Sequence, residues 1–174
     1  MENFKKIIVT GGAGFIGGAV IRKLLYETES LIHNIDKISY ASDLFSINNI
    51  KESNERHFHH KVDLVNNNLI NELIWNINPD LIIHLAAESH VDRSIENPRP
   101  FLESNILGTF NLLEATRNYW NELDSERKNN FRFHHVSTDE VFGTLKENQF
   151  FNESSNYSPR SPYSATKASS DHLV

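Results

Sequence analysis

Tyr163 and Lys167 stand four residues apart in the segment YSATK. On a helix that spacing puts both side chains on one face. A cation beside a phenol stabilises the phenolate and draws its pKa down from about 10. Tyr163 then becomes a base able to take the proton of a substrate hydroxyl near neutral pH. Many helices carry this spacing by chance, so its meaning depends on what the chain sets beside it. The strongest companion is TGGAGFIGG, residues 10–18, which holds five of the seven glycines. Its Gly11-x-x-Gly14-x-x-Gly17 pattern follows an apolar run and opens a helical one. A turn of this kind needs positive φ, a close approach of backbone to a diphosphate, and tight helix–strand packing. The diphosphate would rest on free amides at the helix N-terminus, where the dipole favours anions. Asp36 follows Gly17 by 19 residues, at the end of a second apolar run. An acid there accepts hydrogen bonds from ribose hydroxyls and repels a 2′-phosphate, which favours NAD over NADP. A glycine-rich turn without a ligand is the alternative, and the register of strand, turn, helix and acid argues against it.

A second group of reactive side chains follows the fifth apolar run, in Ser137-Thr138-Asp139-Glu140. Strand ends in doubly wound sheets open on the ligand crevice. Adjacent carboxylates disfavour joint ionisation, so one can serve as acid and the other as base. A solvated turn with a capping acid is the plainer reading of the same residues. Asp63, after the third run, is placed either to bond an adenine amino group or to cap a helix. Ala86 and Ala87 are small enough for a cofactor to approach, and Ser89 is in reach of a phosphate or the nicotinamide side. Nine histidines raise a metal hypothesis. The densest clusters, His57-x-His59-His60 and His134-His135, fall in strand patterns where neighbours alternate faces. No carboxylate stands at ligand spacing, so no metal is expected.

Short apolar runs that alternate with helical patterns must position these groups. Strands are expected at Phe4–Val9, Leu31–Asp36, His57–Val62, Leu81–Ala86 and Phe131–Val136. Helices are expected at Gly14–Glu27, Leu69–Ile77 (stopped by Pro79), Pro100–Tyr119 and from Tyr163 onward. In the first helix Ile16, Val20, Leu24 and Leu25 share the apolar face. In the long one Phe101, Phe110, Leu112 and Leu113 read as core. The order predicts an α/β fold, a Rossmann-like doubly wound parallel sheet covered on both faces. Such a domain normally carries a sixth strand. The expectation is therefore a dinucleotide-binding domain over residues 1–174, truncated before the last strands.

Composition narrows the classes. The chain has 174 residues, 39% hydrophobic and 23% charged, with net charge −6. That suits one globular domain with its own core. No block of basic residues suggests nucleic acid. The apolar runs fall far short of the roughly 20 residues of a membrane helix. The absence of cysteine removes disulfides and thiolate sites and fits a reducing, cytoplasmic compartment.

Together GGAGFIGG, VDL (62–64), HLAAESHVDRSI (84–95), NILGTFNLLEATRNYW (105–120), FRFHHVSTDEVFG (131–143) and SPYSATKASSDHLV (161–174) resemble the dTDP-glucose 4,6-dehydratases, of the extended short-chain dehydrogenase/reductase group. STDEVFG is the discriminating segment, since sugar-nucleotide epimerases of that group usually lack the acid pair. The resemblance implies NAD and a nucleotide sugar, with dTDP-glucose as substrate. It implies that Tyr163 takes the 4-hydroxyl proton as hydride passes from C4 to NAD, and that Thr138 bonds the 4-oxygen. Glu140 then removes the C5 proton, Asp139 protonates the departing 6-hydroxyl, and the hydride returns to C6. Lys167 would hold the nicotinamide ribose and lower the pKa of Tyr163. The same resemblance lines the cofactor with Gly11, Gly14, Phe15, Ile16, Gly17, Asp36, Lys37, Ile38, Ser39, Asp63, Leu64, Leu85, Ala86, Ala87 and Ser104, and brings Ser89 to the substrate. Members run to roughly twice this length, so the nucleotide-sugar domain is expected to be absent here, and the full-length form is expected to be a homodimer. A UDP-sugar 4,6-dehydratase, a 4-epimerase on the same scaffold and an inactive NAD-binding fragment stay open as alternatives.

Overall fold

The computed structural model describes residues 4–49, 53–145 and 147–174. Five strands form one parallel sheet: β1 (Lys6–Thr10), β2 (Leu31–Asp36), β3 (His57–Lys61), β4 (Leu81–His84) and β5 (Arg132–His135). Their spatial order is β3-β2-β1-β4-β5. The chain leaves β1 on one side, comes back through β3, then crosses to β4 on the other. The crevice at that reversal lies outside the carboxyl ends of β1 and β4. The doubly wound α/β fold expected from the alternation of runs is what the chain adopts.

Each strand-to-strand connection is helical. α1 (Phe15–Glu27) joins β1 to β2. The short α2 (Phe45–Asn48) and α3 (Ser53–Arg56) precede β3, and α4 (Asn67–Ile77) precedes β4. After β4 come α5 (Val91–Glu96), α6 (Arg99–Phe101), a π-helical stretch (Leu102–Gly108) and α7 (Thr109–Asn121). α8 (Ser125–Asn130) leads into β5. A 3₁₀ turn (Asp139–Phe142) and α9 (Pro162–Leu173) follow. Neighbouring strand residues face opposite ways, so Ile7 and Ile8 enter different cores. On one face Ile8, Ile35 and Ile82 pack against Ile70, Ile74 and Ile77 of α4 and Leu112, Ala115 and Tyr119 of α7. On the other Ile7, Val9 and Ile32 pack against Ile21, Leu24 and Leu25 of α1. Both layers are fully buried isoleucine and leucine, each side chain worth about 1.5–3 kcal/mol on burial.

β2 keeps its expected limits, and the other strands begin or end one to two residues from theirs, as local patterns allow. Two helical expectations change. In α1 the buried face runs through Gly17, Gly18, Ile21, Leu24 and Leu25, while Ile16 is 61% exposed. The glycines let α1 lie so close to β1 that the face turns by one position, and Ile16 is left at the mouth of the crevice. The long helix is interrupted: residues 102–108 widen to π geometry between α6 and α7. Phe101 and Leu112 are buried, but Phe110 is 46% exposed and faces outward. A strict 3.6-residue period does not survive a π turn, which is why it misassigned Phe110. α2, α3, α5 and α8, each four or six residues long, were not foreseen, being too short for periodicity.

β3 is an edge strand, and its His60 packs against β2. His33 stacks on Phe58 and His60, with His33 Nδ1 3.0 Å from His60 Nε2. Among the described residues no group of three His, Cys, Asp or Glu side chains is placed to hold a metal ion. Burial, reinforced by neighbouring cations and imidazoles, pushes His33 and His57 down from 6.5 to about 4. The unfolded chain therefore takes up these protons first as pH falls. The stability they protect is complete above pH 6.5 and declines toward pH 4. Thermal unfolding of the protein across that window should show a falling Tm. His33→Gln should flatten part of the slope, and an unchanged slope would remove His33 from the effect.

Candidate active site

The glycine turn places the end of β1 against the loop that follows β4. Gly11 has φ +70°, and a Cβ there would lie 2.7 Å from the Cα and N of Ala86. No other residue could hold both the dihedral and the approach. At Gly17 a Cβ would run into the Gly11 carbonyl, so α1 sits flush on the turn. The N-cap of α1 is Gly14, with no side-chain cap and no acid in the first turn. The first amides of a 13-residue helix are thus open toward the crevice, where they and the helix dipole favour an anion.

From this turn a cavity of about 400 Å³ runs across the strand ends to α9. The glycine segment contributes Gly11, Gly14, Phe15, Ile16 and Gly17. The loop after β2 contributes Asp36, Lys37 and Ser39, and the one after β3 contributes Asp63 and Leu64. Leu85, Ala86, Ala87 and Ser89 follow β4. Ser104 of the π turn, with Tyr163 and Lys167, completes the wall. Of the residues expected at a cofactor only Ile38 is not part of this lining. Its φ of +58° turns the backbone, and its amide donates to Asp36 Oδ1 at 2.8 Å. The wall also includes Ser137, the hydroxyl read with the acid pair, and Glu88, which the sequence reading gave no role. Glu88 directly adjoins residues that were given one, and that adjacency was the available signal.

Asp36 is held at its post by the backbone around it. Ala13 N donates to Oδ2 at 3.0 Å and Ser42 Oγ to Oδ1 at 3.4 Å. The acid thus ties the glycine turn to the β2 loop. Asp63 accepts from Val65 N at 3.1 Å. It does not cap α4: that cap is Asn66, which accepts from Leu69 N at 3.2 Å. Lys37 crosses the opening to Glu88 at 2.9 Å and Ser104 Oγ at 3.2 Å.

Beneath the cavity lies a polar network that motif reading missed. Thr109 donates to the Asn105 carbonyl at 2.7 Å, so its oxygen accepts from His84 Nε2 at 2.9 Å. His84 Nδ1 then accepts from Thr10 Oγ1 at 2.7 Å. These bonds require a neutral imidazole, and burial pushes its pKa well below the usual value. Asn105 bonds both the amide and the carbonyl of Glu88, at 2.8 and 2.9 Å, and Thr166 of α9 at 2.9 Å. One buried amide in the π turn therefore fixes the β4 loop to the tyrosine helix.

α9 opens with a capping box between Ser161 and Ser164 and with Pro162 at its start. Tyr163 and Lys167 fall on its inner face, 9% and 5% exposed. The Lys167 ammonium donates to the Val136 carbonyl at 2.8 Å. Burial lowers its pKa, and Asp171 opposes that. The Thr138 hydroxyl comes near enough to the Tyr163 phenol to act on its pKa. That pKa is raised above 10, first by burial; the Thr138 hydroxyl pulls it down, and Glu140, Asp139 and Asp171 push it up. This corrects the expectation that Lys167 lowers it. Lys167 donates to a strand carbonyl, while burial and the neighbouring carboxylates favour the protonated phenol of Tyr163.

Thr138 caps the 3₁₀ turn and accepts from Glu140 N at 3.3 Å. Thr138 and Asp139 line a second groove on the far side of β5, and Ser137 borders both spaces. Glu140 is half-buried and lines neither. The structure thus brings Tyr163 and Lys167 together at one end of the cavity; Thr138, Asp139 and Glu140 are not part of its lining, although all three come close enough to Tyr163 to act on its pKa.

A profile of the family described as GDP-mannose 4,6 dehydratase matches residues 8–174. The dTDP-glucose 4,6-dehydratase of Salmonella typhimurium is 52% identical over 178 residues, 97% of this chain and 49% of that protein. The Neisseria meningitidis protein of the same name is 50% identical over 98% of this chain and 48% of its own. Among solved structures, the dTDP-glucose 4,6-dehydratase DesIV of Streptomyces venezuelae, with NAD and TYD bound, superposes with TM-score 0.84 at 34% identity. It is matched over 97% of this chain and 50% of its own. The UDP-glucose 4-epimerase of Thermus thermophilus, with NAD, gives 0.80 at 28% identity over 97% of this chain and 49% of its own. The chain spans about half the length of the curated relatives it matches.

Gly11→Ala is expected to destabilise the protein by about 1–3 kcal/mol, since the new methyl meets Ala86 in a left-handed backbone. Urea unfolding measures this, and an unchanged midpoint would mean that the two loops do not approach as described.

Proposed function

This chain belongs to the GDP-mannose 4,6 dehydratase family, and from that premise we propose that it is the NAD-binding part of a dTDP-glucose 4,6-dehydratase. Residues 1–174 hold the cofactor and the reacting groups, and the nucleotide sugar is gripped in part by chain beyond them. The observation that carries this reading is the union of two features in one cavity. One end has the uncapped N-terminus of α1 and Asp36, and the other has Tyr163 and Lys167 on one face of α9. The donor set fits NAD: open amides for a diphosphate, a carboxylate for ribose hydroxyls and for exclusion of a 2′-phosphate, and small Ala86 and Ala87 along the floor.

NAD, which the α1 amides, Asp36 and Lys167 would hold, would supply the acceptor for the C4 hydride and its return to C6. The protein's own groups manage the protons. Tyr163 removes the proton of the 4-hydroxyl, and Thr138 bonds the same oxygen. The oxidised nicotinamide would carry a positive charge, which beside Tyr163 would counter the carboxylates that raise its pKa. With C4 oxidised, the C5 proton becomes acidic. Glu140 takes it and Asp139 delivers a proton to the departing 6-hydroxyl, so water leaves. Lys167 holds the nicotinamide ribose. The acid pair favours dehydration over 4-epimerisation, which needs no second acid and base. The full-length protein acts as a cytoplasmic homodimer on a nucleotide sugar, with dTDP-glucose as the favoured substrate.

The experiment is turnover of dTDP-glucose by the full-length protein, with product and free NADH both followed. A 4-keto-6-deoxy sugar should form without net NADH. Glu140→Gln should oxidise C4 and stop there, with reduced cofactor retained and elimination slowed by about 10²–10⁴-fold. A C4 epimer as product, or normal dehydration by Glu140→Gln, would overturn the reading.

A further inference from the structure

Asp171 stands one helical turn beyond Lys167, so that Tyr163, Lys167 and Asp171 share one stripe of α9. No part of the chemistry proposed above uses it. Its side chain is 9% exposed and collects three donors from two other segments. His135 Nε2 lies 3.0 Å from Oδ1. Ser137 Oγ donates to Oδ2 at 2.5 Å and Tyr157 OH at 3.1 Å. Buried carboxylates persist when they are bonded in this way.

These bonds interleave with those of Lys167 and Tyr163. At the end of β5, His135 meets Asp171, the Val136 carbonyl meets Lys167, and Ser137 meets Asp171 again. Three consecutive residues of the strand end are thus stitched to one face of the tyrosine helix, and Thr138 follows them directly in the chain. The stitching sets the register between α9 and the segment that carries Thr138, Asp139 and Glu140. We propose that Asp171 is a positioning residue for the reaction: its carboxylate locks the β5 end onto α9, and so fixes where Thr138 stands relative to the tyrosine and where Val136 receives the lysine. This deepens the proposed function and rests on it.

The charge of Asp171 serves the same end. Lys167 is buried against a neutral carbonyl, and Asp171 is the group that favours its charged form. The other titratable groups facing that ammonium are His84 from β4 and His135 from β5, which are neutral imidazoles. Asp139 and Glu140 face Tyr163. From the helices on the other side, α9 is met by uncharged Ser94 and Asn105.

The test uses full-length protein and the variants Asp171→Asn and Asp171→Glu. One readout needs no turnover: NMR titration of ¹⁵N-lysine protein, with the Lys167 resonance assigned from Lys167→Arg. In Asp171→Asn the ammonium should titrate at lower pH than in the wild type. Turnover should lose roughly 10²-fold in kcat with KM little changed, since the loss is one of alignment. Asp171→Glu keeps the charge and should restore the titration and part of kcat. An unmoved titration or a wild-type kcat in Asp171→Asn overturns the proposal. Should that variant fail to fold, Ser137→Ala and Tyr157→Phe each remove one donor, and both must lower kcat for the proposal to stand. Tyr163→Phe separates the two levels. Full turnover there sinks the tyrosine chemistry itself, whereas its loss beside a wild-type Asp171→Asn sinks only the role of Asp171.

Discussion

A buried ammonium resting on a strand carbonyl holds this site together. Lys167 is 95% removed from solvent, and its direct partner is the carbonyl at the end of β5, 2.8 Å away. A charge so placed is costly unless oppositely charged and polar groups surround it. The chain meets that need with Asp171 one turn on, and Asp171 is itself satisfied by His135, Ser137 and Tyr157. The position of the tyrosine, the presentation of Thr138 and the orientation of the acid pair all follow from how α9 is pinned to that strand end.

At the opposite end of the cavity the constraint is steric. Gly11 and Gly17 let β1, α1 and the β4 loop approach more closely than any side chain would permit. The approach leaves the amides of α1 facing open space. Asn105, buried in the π turn, bridges the two ends, because it holds the Glu88 backbone with one set of bonds and α9 with another. The cavity is therefore prepared to receive an anion at one end and a reacting hydroxyl at the other.

Much of this was legible in the residues. The glycine spacing, Asp36 and the alternation of runs give the fold and the location of the cavity, because turn chemistry and burial are local signals. The Tyr-x-x-x-Lys pair was legible as a pair, but its electrostatics were not. Spacing shows that Lys167 can stand beside Tyr163, not that its proton is engaged by Val136 and that three carboxylates act on the phenol. The π turn was hidden because period analysis assumes a uniform helix. His84 and Asn105 were given no role by the residue reading, since their partners lie 17 to 74 residues away in sequence. Ile16 and Phe110 were misassigned for a related reason, as their exposure is decided by the neighbours that glycines and the π turn admit.

The measurement that bears most directly on the account follows one hydrogen atom. dTDP-glucose carrying deuterium at C4 is turned over by the full-length protein, and the product is examined for label at C6. Deuterium recovered at C6 is the result predicted by a cavity in which hydride leaves C4 and returns within a single turnover. Deuterium released with free cofactor, retained at C4 of an epimer, or lost to water would contradict it.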